Sequence, residues 1–561
     1  MQFPQQTCLQ RQLPAVRALF QRRQLNAERI DTLAPLIEHF EIRLPFIGGF
    51  SSGKSSLINA LLDEPLLSTE ITPETAVAAE VRHGAVPRFT GHLGNGQTVP
   101  ISRQQVEGNQ LGQLLPDGWL AIEMPSPALA ATPQLVLVDM PGWGSGVAAH
   151  VRVVDNYAAR SLAYAVVVSA EEGTLRDNLR HALLELAVQD KPVVLVLTKA
   201  HKRPDSDVAR VTQQVTQEIT QLMGREPLAV AVTSAGKRDV AQLRSALALL
   251  QSRAEGVFAD SVTQPWRGQL EHAAQLMHLL ADQGFKDAEA IGADIDTFER
   301  KMAEFDQRLQ RETEALHEQV GPMLGAIRIR VEGALAQRLD SLTSRALDGG
   351  NINDDIIGTA RLVVAQALKE DFEPTMRRYL ERLVDALPSK LDFNLDFSLK
   401  GTPGAGGGSG ADFRWSDLTL TLVPLLAKFT GPVGMVLGGL VPLLARLFDS
   451  KADRQRQEAA EAQRHERAKG QVRDALTQAA QQIEAQLRPV MEEQIQKAQE
   501  AIAHNIATER ADIERTLNDK RQALQQGEAE AAAQRSAAQA DLEQLQAWLA
   551  ELPCQGREPR A

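Results

Sequence analysis

Gly48, Gly53, Lys54 and Ser55 stand at the spacing G-x-x-x-x-G-K-[ST] within GGFSSGKSSLINALL, and each residue type has a task in gripping phosphate. The glycines let backbone N–H groups turn inward around an oxyanion, and the helix that follows adds the positive end of its dipole. Lys54 brings a point charge to the β- and γ-phosphate oxygens and Ser55 offers a hydroxyl to Mg2+. Ser51, Ser52 and Ser56 complete the candidate nucleotide contacts in this turn. About 85 residues on, LVLVDMPGWG carries an apolar strand up to Asp139. That carboxylate can reach the Mg2+ shell through water, and the N–H of Gly142 can face the γ-phosphate.

The base-reading side departs from the usual pattern. LVLTKAHKRPD places Thr198 and Lys199 where a guanine-binding protein carries [NT]-K-x-D, with His201 in the position of the Asp. A carboxylate accepts from guanine N1 and N2 together, which a neutral imidazole cannot do. Asp205, beyond Pro204, is the alternative acceptor. In TSAGK, Ser234 and Ala235 are placed to present backbone N–H groups to the base.

These residues need a strand, a loop and a helix in that order, and the surrounding sequence supplies them. Between about Arg43 and Leu250, short apolar runs alternate with helical segments: RLPFIGG, AVAAEVRHG, QLVLVDMPG, AYAVVVSAEEG, KPVVLVLTKA and LAVAVTSA. Such alternation predicts an α/β domain with a mostly parallel, doubly wound sheet, whose ligands bind at the strand C-terminal ends. Residues 5 to 40 read as an amphipathic helix pair. After about residue 260 the strand signals largely stop. Ile291, Ile295, Phe298, Met302, Phe305, Leu309 and Leu316 form one stripe on a long helix, and another helix covers Ile356 to Leu387. Met491, Ile495, Ile502, Ile506, Ile513, Leu517 and Leu524 follow an eleven-residue repeat, which predicts a nearly straight helix from Pro489 to Gln526. Each stripe must be buried, so the two long segments are expected to pack antiparallel as a stalk, with the N-terminal helices beside them. A coiled coil between two chains is the alternative.

Composition sets outer bounds. At 561 residues the chain is too long for one core. A net charge of −12 argues against general binding of nucleic acid. Cys8 and Cys554 lie at opposite ends without metal-type spacing, so neither a disulfide framework nor a zinc site is expected. The first residues lack the apolar core of a secretory signal, which points to the cytoplasm.

Taken together, GGFSSGKSSLINALL, LLSTEITPETAVAAEVRHG as a first switch, DMPG, and large helical regions on both sides of the nucleotide domain resemble the dynamin superfamily, most closely bacterial dynamin-like proteins. The motif-level resemblance runs from about Pro45 to Lys237. It implies GTP and Mg2+ as ligands, and a switch threonine, Thr75 or Thr72, that completes the Mg2+ shell and helps position the attacking water. It further implies that Ser51 is the phosphate-loop side chain arranged for hydrolysis when two heads meet, so Ser51, Lys54, Thr75 and Gly142 form the catalytic set. Homodimers or higher homo-oligomers, and a second dynamin-like protein, are the protein partners such a family suggests.

Between the halves of the predicted stalk lies a Gly-rich stretch, Gly401 to Gly410, followed by LTLTLVPLLA and FTGPVGMVLGGLVPLLA. A spanning helix needs about 20 apolar residues, and the second piece is short and interrupted by glycine and proline. A hairpin dipping into one leaflet suits these lengths, with Val433, Val436, Leu437, Leu440 and Leu443 as the lipid-facing residues. It resembles the membrane-binding paddle of bacterial dynamin-like proteins. A buried hairpin closing the bundle tip is the alternative. The expected domains are N-terminal helices 1–40, nucleotide domain 41–255, neck and stalk 256–390, linker and hydrophobic tip 391–450, returning stalk 451–552 and tail 553–561. Two functions fit this plan. One is a GTP-hydrolysing mechanochemical protein at the inner face of the cell membrane, and the other is a nucleotide-gated scaffold that binds protein partners with little turnover.

Overall fold

The structure, a computed structural model, describes residues 3–49, 51–69, 77–107, 111–115, 118–140, 161–188, 191–282, 288–348, 352–386 and 457–552. Among the described residues nine strands form one sheet in the order β4-β3-β5-β2-β6-β1-β7-β8-β9. They are β1 (Ile42–Gly48), β2 (Ala78–His83), β3 (Arg88–His92), β4 (Thr98–Pro100), β5 (Trp119–Met124), β6 (Leu135–Asp139), β7 (Tyr164–Ser169), β8 (Val193–Thr198) and β9 (Ala229–Val232). The central run β6-β1-β7-β8-β9 is parallel. Beyond it the sheet is mixed: β2 runs antiparallel to β6, β5 parallel to β2, and β3 antiparallel to both β5 and β4.

Side-chain alternation explains why the parallel strands read as unbroken apolar runs. Tyr164, Val166 and Val168 of β7, with Val193, Leu195 and Leu197 of β8, point to one core. Ala165, Val167, Val194 and Val196 point to the other. Both faces are covered by helices, so both sets are buried; each Val or Leu contributes roughly 1.5–3 kcal/mol on leaving water. The antiparallel extension lacks this pattern. In β3 only Gly91 is buried, and the other residues are exposed or half-buried. Of this extension β2 was expected in AVAAEVRHG, whereas β3, β4 and β5 were absent from the strands expected above, because half-solvated strands carry no continuous apolar signal.

The helices are α1 (Pro4–Arg22), α2 (Glu28–Glu38), α3 (Lys54–Leu62), α4 (Asp177–Val188), α5 (Asp205–Met223), α6 (Ala241–Phe258), α7 (Gln264–Ala281), α8 (Ala288–Gln337), α9 (Leu339–Leu347), α10 (Asn353–Ala367), α11 (Glu373–Ala386), α12 (Gln457–Gln526) and α13 (Glu528–Glu551), with shorter turns between. α6 passes into α7 through a π-helical turn, Ala259–Thr263, so one helical path leads out of the nucleotide domain. At that exit Phe258 meets Phe3 and Phe40, with ring centroids 5.7 and 5.0 Å apart. Trp266 Nε1 donates to Gln12 Oε1 at 3.1 Å in the same buried layer. Arg22 and Arg23 both hold Asp541 of α13, and Lys520 Nζ donates to the carbonyls of Leu279 and Asp282 at the end of α7. The N-terminal helices thus clamp α7 and α13 into a neck.

α8 and α12 run antiparallel. Gln310 meets Gln499, Arg328 pairs with Glu484 and Asp340 with Lys469, so one sequence rises as the other falls. The α8 stripe from Ile291 to Leu316 is buried throughout; on α12, Met491, Ile495, Ile506, Ile513 and Leu517 are buried, with Ile502 and Leu524 partly so. α12 begins well before the expected Pro489 and spans 70 residues with that proline inside it, about 105 Å at 1.5 Å per residue. α10 and α11, joined by a second π turn, fold back along α8, where Tyr379 OH and Thr313 Oγ1 share a buried hydrogen bond of 2.9 Å. The head is not held by its neck alone. α4 packs against α10, and a cleft of about 360 Å³ between them is lined by Arg180, Leu184, Leu222, Arg338, Ser341, Leu342, Arg345 and Asp355. The expected hydrophobic tip lies outside the described residues.

Candidate nucleotide site

The register of the parallel strands brings the chemistry to one edge. Phe46 of β1 sits opposite Asp139 of β6, Gly48 opposite Val167 of β7, and Ser169 of β7 opposite Thr198 of β8. The strand C-terminal ends therefore converge on the turn that leads from β1 into α3.

That turn admits few residues. A Cβ on Gly48 would stand 2.4 Å from the Val167 carbonyl oxygen, so any side chain there would push β1 off β7. Gly53 has φ +91°, a conformation that costs a side chain dearly and glycine nothing. Ser51 is exposed and also left-handed, at φ +62°. A serine held there stores roughly 1–3 kcal/mol of backbone strain.

Lys54 is buried and its Nζ donates to the carbonyls of Gly48 and Gly49, at 3.1 and 3.2 Å. Burial pushes its pKa below the usual lysine value, and the nearby Asp139 carboxylate partly opposes this. Asp139 is shifted the other way. Burial raises its pKa, while the Ser55 hydroxyl and then Lys54 pull it back. Ser55 Oγ donates to Asp139 Oδ2 at 2.6 Å, whereas Asp139 Oδ1 and Ser52 Oγ are buried without a hydrogen-bond partner among the described residues. A hydroxyl and a carboxylate in contact, with one carboxylate oxygen unsatisfied, fit Mg2+. That ion takes hard oxygen donors and completes its shell with water and substrate phosphate.

Thr198 is also buried. Its hydroxyl donates to the Ser52 carbonyl at 2.5 Å, tying the end of β8 to the phosphate turn. Lys199 follows in the left-handed region, φ 56°, and its Nζ pairs with Glu171 at 2.9 Å. Lys202 reaches the same carboxylate at 2.8 Å, and Arg203 donates to the Glu171 carbonyl. These two ammonium groups, Lys199 first, pull the Glu171 carboxyl down to about 2. His201 is held by a different loop: its Nδ1 and Ser234 Oγ are 2.7 Å apart, and a Cβ on Gly236 would lie 3.5 Å from Nε2. The Ser234 N–H donates to the Asp239 carbonyl, so its amide is engaged within its own loop and its hydroxyl makes the contact with His201. Ala235 begins the short 3-10 turn that follows. Asp205 is exposed in the first turn of α5, where an acid complements the helix dipole.

The structure thus places Gly48, Ser51, Ser52, Gly53, Lys54, Ser55 and Ser56 on the turn and helix start after β1, with Asp139 joined through Ser55 and Thr198 through the Ser52 carbonyl; His201 is joined to Ser234, and Lys199 and Ala235 adjoin Thr198 and Ser234 in sequence. Thr72, Thr75 and Gly142 lie outside the described residues, as do Val433, Val436, Leu437, Leu440 and Leu443. The loop after β7, Ala170 to Arg176, was missed. Its signal was legible in AEEGTLR: two acids and a glycine directly after a buried strand, with Gly173 at φ +73°.

Residues 44–200 match the model of the Dynamin family. The isoniazid-induced protein IniC of Mycobacterium tuberculosis is 31% identical over 106 residues, which make up 18% of this chain and 21% of that protein. An uncharacterized protein from the xynA 3′ region of Caldicellulosiruptor is 26% identical over 210 residues, 35% of this chain and 51% of that protein. The chain therefore spans about a fifth of IniC and about half of the second relative. Among solved structures, a chain of an oligomerised bacterial dynamin pair, described as a mechanism for long-range sensing and tethering of membranes, aligns over 98% of this chain and 82% of its own length, at 12% identity and a TM-score of 0.38. Translation elongation factor SelB of Methanococcus maripaludis, with a GTP analogue, aligns over 39% of this chain and 34% of its own, at 16% identity and a TM-score of 0.22.

Proposed function

The chain carries a dynamin-family nucleotide domain, and from that premise we propose that it binds GTP with Mg2+ and hydrolyses it to GDP and phosphate in a cycle of head dimerisation that does mechanical work on a membrane. The observation that carries this is the pair formed by Lys54 and the Ser55–Asp139 contact. A buried ammonium whose partners are backbone carbonyls sits beside a part-buried carboxylate and hydroxyl, at the one sheet edge where a triphosphate would lie. Both charged groups are strained by burial, and the charge of a Mg2+-bound triphosphate relieves each.

In this mechanism the glycine turn and the N-terminus of α3 orient the phosphates, and Lys54 leaves its carbonyls to neutralise charge on the β- and γ-oxygens. Mg2+, when bound at Ser55 and through water at Asp139, would stabilise the charge that develops on the transferring phosphoryl group. Thr75 or Thr72, together with Ser51, would position the attacking water once a second head closes over the site. The neck and the antiparallel α8–α12 pair offer a stiff path from this site to the rest of the chain.

Membrane contact is assigned to the apolar segment around Val433, Val436, Leu437, Leu440 and Leu443, flanked by Lys428, Arg446, Lys451, Arg454 and Arg456. Basic residues near anionic lipid contribute roughly 1 kcal/mol each. No helix among the described residues is long and apolar enough to cross a membrane. The protein would act as a homodimer or higher oligomer on the inner face of the cell membrane. Turnover measured with and without anionic liposomes tests the proposal: it should rise with liposomes, whereas tight binding without turnover would contradict hydrolysis and leave a nucleotide-gated scaffold.

A further inference from the structure

The phosphate turn has a second cation against it that belongs to no motif. A Cβ built on Gly49 would find Arg176 as its nearest neighbour, with Cδ and Nε at 3.5 Å and Cζ at 3.6 Å. The guanidinium therefore lies against this glycine, whose carbonyl accepts from Lys54 Nζ on the same stretch of backbone. Two positive groups crowd one residue. Arg176 is held there by Glu172, with Nε to Oε2 at 3.0 Å and Nη2 to Oε1 at 2.6 Å, a two-point grip of the kind a phosphate also offers. The pair is about half exposed on the arginine side, so exchanging one oxyanion for another requires no unpacking of a core. The loop is otherwise pinned: Glu171 takes Lys199 and Lys202, and the Thr174 hydroxyl and Leu175 amide both reach Glu218.

We propose that Arg176 is a phosphate-sensing residue of this site, which exchanges Glu172 for the terminal phosphate of a bound nucleoside triphosphate. The inference rests on the nucleotide reading above and deepens it. Glu172 acts as the resting partner. It keeps a strong cation beside the turn without leaving the charge unpaired, and sets a threshold that a diphosphate, one phosphate shorter, does not reach. A guanidinium supplied within the same chain can stabilise charge on the transferring phosphoryl group. Position gives the exchange a consequence for the rest of the molecule: α4 starts at the next residue and carries Arg180 and Leu184 into the cleft against the stalk. Movement of Arg176 would therefore be felt where head and stalk touch.

The test is the ratio of affinities for a non-hydrolysable GTP analogue and for GDP, both with Mg2+, in wild type, Arg176→Ala, Arg176→Lys, Glu172→Gln and Lys54→Ala. Arg176→Ala should weaken the triphosphate analogue about tenfold, in the range of one lost charged hydrogen-bond pair, and leave GDP within about twofold. Arg176→Lys should recover part of that loss, and Glu172→Gln should raise the ratio by freeing the arginine. An unchanged ratio in Arg176→Ala overturns the proposal. Should that variant lose GDP as well, the other two decide, and unchanged ratios in Arg176→Lys and Glu172→Gln overturn it. Lys54→Ala separates the two readings. If it binds both nucleotides as wild type does, the phosphate site itself is misplaced; if it binds neither while Arg176→Ala keeps the wild-type ratio, only the sensing role fails.

Discussion

The phosphate half and the base half of the proposed site share one sheet edge but are built on opposite plans. On the phosphate side Ser52, Lys54 and Thr198 are buried, the turn is fixed by Gly48 against Val167, and burial pushes the pKa values of Lys54 and Asp139 toward each other, down for the lysine and up for the aspartate. On the base side His201, Lys199 and Lys202 lie at or near the surface, and their contacts are a hydroxyl and one exposed carboxylate, Glu171. Close packing makes the first half intolerant of substitution, because Lys54, Ser55 and Thr198 each hold a neighbour through a hydrogen bond. The second half rests on solvated ion pairs at Glu171, each worth little, and on one part-buried hydrogen bond between His201 and Ser234, and so can drift in sequence while the domain still folds. The His201 substitution sits where the architecture permits change.

The largest effect that would sharpen this contrast comes from the buried carboxylate. Asp139→Asn should cut GTP turnover by about tenfold to a hundredfold, as loss of an outer-shell metal partner does, and chelation of Mg2+ in the wild type should do the same. The variant also reports on strain. The folded-state pKa of Asp139 is raised, so between the ordinary aspartate value and that raised value the folded chain binds more protons than the unfolded one. Stability therefore falls as pH rises through this window. The nucleotide-free Asp139→Asn protein should melt higher than wild type at neutral pH, and the gap should close on acidification. A gap that widens in acid would break the picture of a strained phosphate half.

Next in size is His201→Asp, which restores an acceptor for two guanine N–H groups. It should raise the preference for GTP over ATP about tenfold, since hydrogen bonds to a charged group contribute roughly 1.5–3 kcal/mol. Competition by ATP against a fluorescent GTP analogue would read this directly, and equal discrimination by both proteins would place base reading elsewhere. Ser234→Ala should do less. It removes one neutral hydrogen bond to His201, worth about 1 kcal/mol, and should shift the same ratio by no more than about fivefold. A larger shift would mean that the base half is as tightly balanced as the phosphate half.

How much of this was legible beforehand follows the same division. The glycine turn, Lys54, Ser55 and Asp139 were readable because a phosphate clamp demands those residue types at fixed spacing, and the parallel strands because burial on both faces leaves unbroken apolar runs such as AYAVVVS. The stalk was readable from its stripes, although Val472, Leu476, Ile483 and Leu487 continue the α12 pattern upstream of Pro489 and were passed over because a proline normally ends a helix. What stayed hidden depends on partners distant in sequence. β4 is a solvated edge strand and β3 its half-exposed neighbour, Ser234 was expected to offer its amide until Asp239 engaged it, and the nearness of Arg176 to Gly49 exists only once β7 lies beside β1. The contact between α4 and α10 is of this kind too.

The central claim is that the turn around Lys54 holds a Mg2+-bound triphosphate. Calorimetric titration of GTP with Mg2+ into wild type and Lys54→Ala tests it most directly. A saturable heat in the wild type, with affinity at least about a hundredfold weaker in the variant, is the expected result, since several charged contacts to phosphate oxygens are lost at once. Equal affinity in the two proteins would contradict it.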